Sequence, residues 1–443
     1  MTFRHPHDRE ILRLAVPALG ALVAEPLFLL TDSAIVGHLG TVSLGALGVA
    51  SQILGTLVNL CVFLAYGTTA SVSRQIGAGN RRAAVRQGVD GIWLAVLIGV
   101  GVAVAGQPLT PAVVRAFGAS AVLAPQAETY VHVSLLGVPG MLIVLAGTGV
   151  LRGMQDTRTP LFVSVGMFAL NAGLNAALVL GLGLGIAGSA WGTVLAQTAG
   201  AGVYVLMVAR GARRHGAPLR PDLAGLRASA TAGVGLLIRT LSLRVVLIVA
   251  TMVAARLGDA QIAAHQIAAN VWTLLAFALD AIAIAGQAIT GRRLGAGDVG
   301  GARAATRRMV AWGLACGVVF ALALLAARPW LPDPFTDDTA VRSQLLGALV
   351  IVALLQPIAG VVFVLDGVLI GAGDMGFLAV AGVIQTAAFL PVAWLAYALG
   401  GGLVSLWLAM GVWMLARLVT LGLRARSDAW LVAGARTRVS AAP

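Results

Sequence analysis

Long apolar runs separated by short polar patches dominate the chain. Runs of about 18–28 mostly apolar residues are long enough to cross about 30 Å of hydrocarbon as helices. The pattern predicts twelve, at 14–37, 44–72, 88–107, 121–147, 160–182, 187–209, 228–255, 262–290, 306–327, 342–366, 376–399 and 402–424. The longest polar connection, Arg210 to Arg227, carries five arginines and two prolines and falls after the sixth run. The expected architecture is an all-α membrane protein of twelve transmembrane helices. It divides into an N-terminal six-helix lobe (1–209), a basic linker (210–227), a C-terminal six-helix lobe (228–424) and a tail (425–443).

The two halves repeat one another at a constant shift of 218 residues, the distance from Gly40 to Gly258. At that shift Gly77-Ala78-Gly79 meets Gly295-Ala296-Gly297, Pro139 meets Pro357, and Asp156 meets Asp374, with no gap over more than a hundred residues. Because six is even, both repeats enter the membrane from the same side. Parallel repeats related by an axis along the membrane normal belong to transporters that rock between two open states.

Composition sharpens this picture. The chain is 59% hydrophobic and 11% charged, with mean hydropathy +0.93, against about 25% charged residues in soluble domains. Its +13 formal charge comes entirely from arginine and histidine is scarce. The arginines cluster beside apolar runs, for example Arg81, Arg82 and Arg86 or Arg210, Arg213 and Arg214. That is the positive-inside pattern and not a nucleic-acid surface. It predicts an inner or plasma membrane protein with both termini cytoplasmic and an uncleaved first helix. Cys61 and Cys316 lie within apolar runs and read as core residues. No phosphate-binding loop, nucleophile elbow or metal-ligand spacing occurs, so neither an enzyme nor ATP-driven transport is expected. The drive would be an ion gradient.

Charges inside a membrane are costly, which marks each as a functional candidate. Glu25 and Asp32, seven residues apart, share one face of the first span. Asn171 and Asn175 share a face of the fifth. Counted from the outer ends at 1.5 Å per residue, Asp32 lies about 8 Å in, Asn175 about 10 Å and Thr193 about 9 Å. These oxygen-bearing groups can meet at one level and hold a proton, or weakly a sodium ion. The second half has Ala250, Phe389 and Ala393 at the positions of Asp32, Asn171 and Asn175. It carries instead Asp280 on the eighth span and, on the seventh, Arg239 at a matching depth and Arg244 higher but long enough to reach down, which predicts a structural ion pair of Asp280 with one of these arginines. Glu128 and Asp366 fall near span ends.

The stretch from Glu25 through Asp32 to Gly40, the Gly77-Ala-Gly-Asn80 turn, the run from Gly149 to Asp156 and Thr157, and Ala263-Ala-His-Gln-Ile267 resemble the multidrug and toxic compound extrusion (MATE) family. The likeness covers residues 10 to 425 and is greatest to the branch named after DNA-damage-inducible protein F. The resemblance implies a V-shaped two-lobe antiporter that expels cationic or amphipathic small molecules as ions enter. It further implies a coupling role for Asp32, with partners at Asn171, Asn175 and Thr193. Where that pattern has a second carboxylate this chain has Asn175, which favours proton over sodium coupling. No cofactor is implied, and the expected partners are the substrate and the bilayer around a monomer. A flippase for lipid-linked precursors is the alternative, and its cleft would have to spend Arg239 and Arg244 on a pyrophosphate.

Overall fold

The computed structural model describes residues 6–435, with the side chain of Glu25 outside the described set. Among the described residues the regular elements are all helical, and twelve helices are long and apolar enough to cross a membrane. They are α1 (His7–Gly37), α2 (Thr41–Gly77), α3 (Arg81–Ala116), α4 (Ala124–Gly153), α5 (Arg158–Gly181), α6 (Gly185–His215), α7 (Leu223–Leu257), α8 (Asp259–Gly295), α9 (Val299–Ala327), α10 (Thr339–Gly371), α11 (Met375–Ala398) and α12 (Gly402–Arg426). Each predicted span has its helix, and many helices run past the predicted ends. The expected linker is mostly helical, since α6 continues to His215 and α7 begins at Leu223. Long arginine stems can lie along apolar surface while their heads reach water. Arg213, Arg214 and His215 also complement the carbonyl end of α6.

The chain forms two compact units, an N-unit of 20–233 and a C-unit of 1–19 with 234–443. This departs from a division at 210–227, because the first helix of each repeat begins in the other repeat's unit. The start of α1 is held in the C-unit by polar contacts: Arg308 donates to Asp8 at 2.6 and 2.7 Å, Trp312 Nε1 donates to Asp8 at 2.8 Å, and Arg293 donates to Glu10 at 3.0 Å. The start of α7 is held in the N-unit, where the Asp222 amide donates to Asp90 at 3.1 Å. Gly233 also packs so tightly on the Phe63 ring that a Cβ would sit 2.7 Å from it.

Each unit is organised around its fourth helix. In the N-unit α4 packs on α2, α3 and α6, and in the C-unit α10 packs on α8, α9 and α12. The same close approaches recur at the 218-residue shift. Gly99 lies against the backbone of Pro139 and Gly317 against that of Pro357. Gly149 lies on the carbonyl of Ala65 and Gly367 on that of Ala283. A side chain at any of these four positions would overlap main chain, so the duplication is one of packing as well as of letters.

Candidate functional site

Asp32 lies near the end of α1 within the N-unit, only 3% exposed. Two donors converge on its Oδ1, Asn175 Nδ2 from α5 at 2.6 Å and Ser189 Oγ from α6 at 2.7 Å. The Tyr130 hydroxyl, from α4, donates to Oδ2 at 3.5 Å. The network continues as Asn175 Nδ2 donates to Asn171 Oδ1 at 3.1 Å and Asn171 Nδ2 to Thr193 Oγ1 at 3.0 Å. Asn171 and Asn175 are one turn apart, as are Ser189 and Thr193, so two helices each present a pair on one face.

Local backbone features make room for this cluster. Directly after Asn175 the helix widens into a π turn, Ala176–Gly181, an irregularity common at functional sites. Gly192 faces Asn175, and a Cβ there would collide with Asn175 Oδ1. Phe28 and Phe168 stack at 5.0 Å between ring centres, fixing α1 against α5 beside the polar cluster.

Burying a carboxylate without a counter-charge is expensive, and hydrogen bonds to neutral donors offset part of that cost. Among the described residues Asp32 has no cationic partner. The surrounding hydroxyls can donate to a carboxylate or accept from a carboxylic acid. The arrangement can therefore hold the group with or without its proton.

Of the residues expected at this level, Asp32, Asn171, Asn175 and Thr193 come together, while the side chain of Glu25 lies outside the described residues. Sequence reasoning missed Ser189 and Tyr130. For Ser189 a signal was present, since it lies four residues before Thr193 and on the same face.

The C-unit holds a different cluster. Arg239 of α7 donates to Asp366 of α10 through Nε at 3.2 Å and through Nη2, and Arg417 of α12 donates to Asp366 Oδ2 at 3.4 Å. Arg417 also lies over the rings of Trp413 and Phe363, 5.1 and 5.6 Å from their centres. Depth counting offered Arg239 or Arg244 as the partner of Asp280 and did not foresee the contact of Arg239 with Asp366. The predicted span stopped at residue 366, whereas α10 runs on to Gly371 and carries Asp366 inside. Arg417, inside α12, was overlooked altogether. Asp280 and Arg244 are half-buried on α8 and α7.

A model of the family named MatE matches residues 17–177 and 227–395, one stretch in each repeat. The chain belongs to the MatE family. It is 31% identical over 431 residues to Protein DETOXIFICATION 44, chloroplastic, of Arabidopsis thaliana, a match covering 93% of this chain and 80% of that protein. It is 32% identical over 209 residues to DNA damage-inducible protein F of Escherichia coli, where the match spans 47% of this chain and 46% of the relative. Its fold matches that of a solved multidrug resistance MATE family transporter in an outward-facing conformation, with TM-score 0.84 at 21% identity over 97% of both chains. MatE membership and the twelve apolar helices make this a multi-pass membrane protein of a transporter family.

Proposed function

We propose that this MatE protein is a proton-coupled antiporter that exports cationic or amphipathic small molecules by alternating access, with Asp32 as the proton carrier. The observation that carries the proposal is a buried Asp32 held by three neutral donors, with no cation beside it among the described residues. Such a carboxylate can exchange a proton when the unit's opening changes, and a population shift follows if two states favour its two forms unequally. Each unit of pH difference supplies about 1.4 kcal/mol per proton, and 100 mV about 2.3 kcal/mol per charge. The arginine distribution supports an inner or plasma membrane orientation with both termini cytoplasmic. Asp280 serves as a structural acid for Arg239 or Arg244 in this scheme.

Sodium coupling is the second reading. Asn175 Oδ1 is buried without a hydrogen-bond partner and could add one oxygen beside the carboxylate, but a single carboxylate makes a weak sodium site. The flippase alternative has less support, because Arg239 is engaged by Asp366.

Reconstitution in liposomes with imposed pH or sodium gradients, scored by movement of fluorescent cations, tests the proposal. Asp32→Asn should insert and fold normally while losing pH-driven efflux. Wild-type rates in that variant would remove Asp32 from the mechanism, and efflux driven by sodium at clamped pH would replace the proton with sodium.

A further inference from the structure

The two units finish their basic ends differently. In the C-unit the chain leaves α12 at Arg426 and returns to the helix ends: the Gly434 amide donates to the Leu294 carbonyl at 2.8 Å, Arg303 pairs with Asp428, and the buried Trp430 indole donates to the Ala425 carbonyl at 3.1 Å. At the 218-residue shift, Leu294, Arg303 and Ala425 correspond to Ile76, Val85 and Met207 of the N-unit. There α6 continues to His215, and these three residues line an open cleft of about 290 Å³. Leu151 and Met154 are among the other residues of its apolar wall, and Arg81 and His215 are its basic lining.

The charges at this end differ as well. In the C-unit, Arg292 and Arg293 meet Glu10, Arg308 meets Asp8, Arg303 meets Asp428 and Arg424 meets Asp374. In the N-unit, among the described residues, Arg81, Arg82, Arg210, Arg213 and Arg214 form no ion pair, while their neighbour Arg86 meets Asp222. The C-unit lays its own tail over its helix ends, with Trp430 buried and Arg303 paired to Asp428, while the N-unit leaves the equivalent surface open and its cations unspent.

We infer that this cleft binds an anionic phospholipid, its phosphate on Arg81 and His215 and its acyl chains along Met207 and Leu151. The cleft lies where α2, α4 and α6 end and α3 begins, at the polar border of apolar spans, so an occupant meets water and arginine on one side and hydrocarbon on the other. Basic pockets between membrane helices accept acidic headgroups for this reason. A peptide like the C-unit tail would bring one carboxylate and a short apolar stretch, but no acyl chain to run on along the exposed Met207 toward the hydrocarbon.

The test is titration of the full-length protein, purified in a nonionic detergent, with dioleoyl phosphatidylglycerol or dioleoyl phosphatidylcholine. Bound lipid is counted by native mass spectrometry and the thermal midpoint is followed in parallel. Phosphatidylglycerol should bind and raise the midpoint. Arg81→Gln with His215→Gln should weaken its binding at least about fivefold, the share of the one arginine charge, and leave phosphatidylcholine unchanged. Met207→Trp fills the cleft without altering charge and should also lose the lipid, whereas Arg303→Gln, at the tail-filled site, should not. Equal phosphatidylglycerol binding in wild type and Met207→Trp would overturn the inference. So would an equal midpoint rise from inorganic phosphate at matched concentration, or displacement of the lipid by a peptide of residues 427–435. If the double variant does not fold, Met207→Trp decides.

Discussion

Where the N-unit gathers polar groups, the C-unit is filled with hydrocarbon. Asp32, Asn171, Asn175, Ser189 and Thr193 become Ala250, Phe389, Ala393, Trp407 and Gly411 at the 218-residue shift. Phe389 and Trp407 are 0% and 1% exposed, and Trp407 packs against His265 and Trp272 at 5.8 and 6.1 Å between ring centres. The reverse holds for the C-unit's charges, since Arg239, Asp366 and Arg417 fall on Ala21, Thr148 and Ala199. One helical frame, kept by the same glycine-to-backbone contacts in both units, therefore carries two unrelated interiors. Backbone approach constrains the duplicated chain tightly, and side chains in the space between helices are free to diverge. Asp366 is locked between two permanent cations and suits structure; Asp32 has only neutral donors and suits proton exchange.

Breaking the two carboxylates should separate these roles most sharply. Asp366→Ala removes the carboxylate shared by Arg239 and the buried Arg417 and should cost about 3–5 kcal/mol of stability, seen as a large fall in the thermal midpoint in detergent. Asp32→Asn keeps a hydrogen-bonding group among neutral donors and should move that midpoint little. If Asp32→Asn unfolds the protein as readily as Asp366→Ala, the functional distinction between the units fails.

The aromatic filling of the C-unit can be probed by importing the N-unit's residue. Trp407→Ser opens a cavity and should cost about 3–5 kcal/mol. A loss below about 1 kcal/mol would mean that the indole is not what holds this interior together.

Much of this was legible in the sequence because of where the information lies. Apolar runs fix helices, and a constant shift across turns and prolines fixes the duplication, so twelve spans in two repeats could be read directly. The polar cluster was half legible. Asp32 and Asn175 stand out as costly groups at one depth, whereas Ser189 and Tyr130 are unremarkable in a membrane helix until the fold shows what they face. The Arg239–Asp366–Arg417 cluster was hidden because the tenth span was ended at its polar residue Asp366, although the apolar residues 367–371 carry the helix on, and because Arg417, inside the twelfth span, was not counted among the membrane charges. What was not legible in the division is the exchange of the helix starts, since the place of residues 1–19 depends on Asp8 and Glu10 meeting arginines about three hundred residues away.

A smaller comparison lies in the turns after α4 and α10. Gln155 and Gly373 are equivalent, and both take left-handed backbone angles, φ 68° and 74°. Glycine adopts that conformation without penalty, whereas a side chain costs about 1–2 kcal/mol. Gln155→Gly should therefore stabilise the N-unit by about 1 kcal/mol. An unchanged or lower thermal midpoint would show that the glutamine side chain compensates for its backbone.

The finest contrast is between the caps of α3 and α9, again equivalent positions. Asn80 accepts from the Ala83 amide at 3.0 Å, and Asp298 from the Gly301 amide at 2.8 Å. Replacing either by alanine should cost about 1 kcal/mol, but only the second cap is charged. The Gly301 amide, helped by Arg293, holds the Asp298 carboxyl below its ordinary value of 3.8. A carboxylate whose folded value is depressed adds stability that is fully present above the unfolded value and is lost as pH falls through the folded one. Asp298→Asn should therefore lower the thermal midpoint at neutral pH by the charge's share of the cap, about 0.3–1 kcal/mol, and the gap from wild type should close in acid. Asn80→Asp should introduce the same acid sensitivity at α3. A gap that persists unchanged well below the carboxylate range would assign the Asp298 contribution to shape and hydrogen bonding alone, making the two caps alike after all.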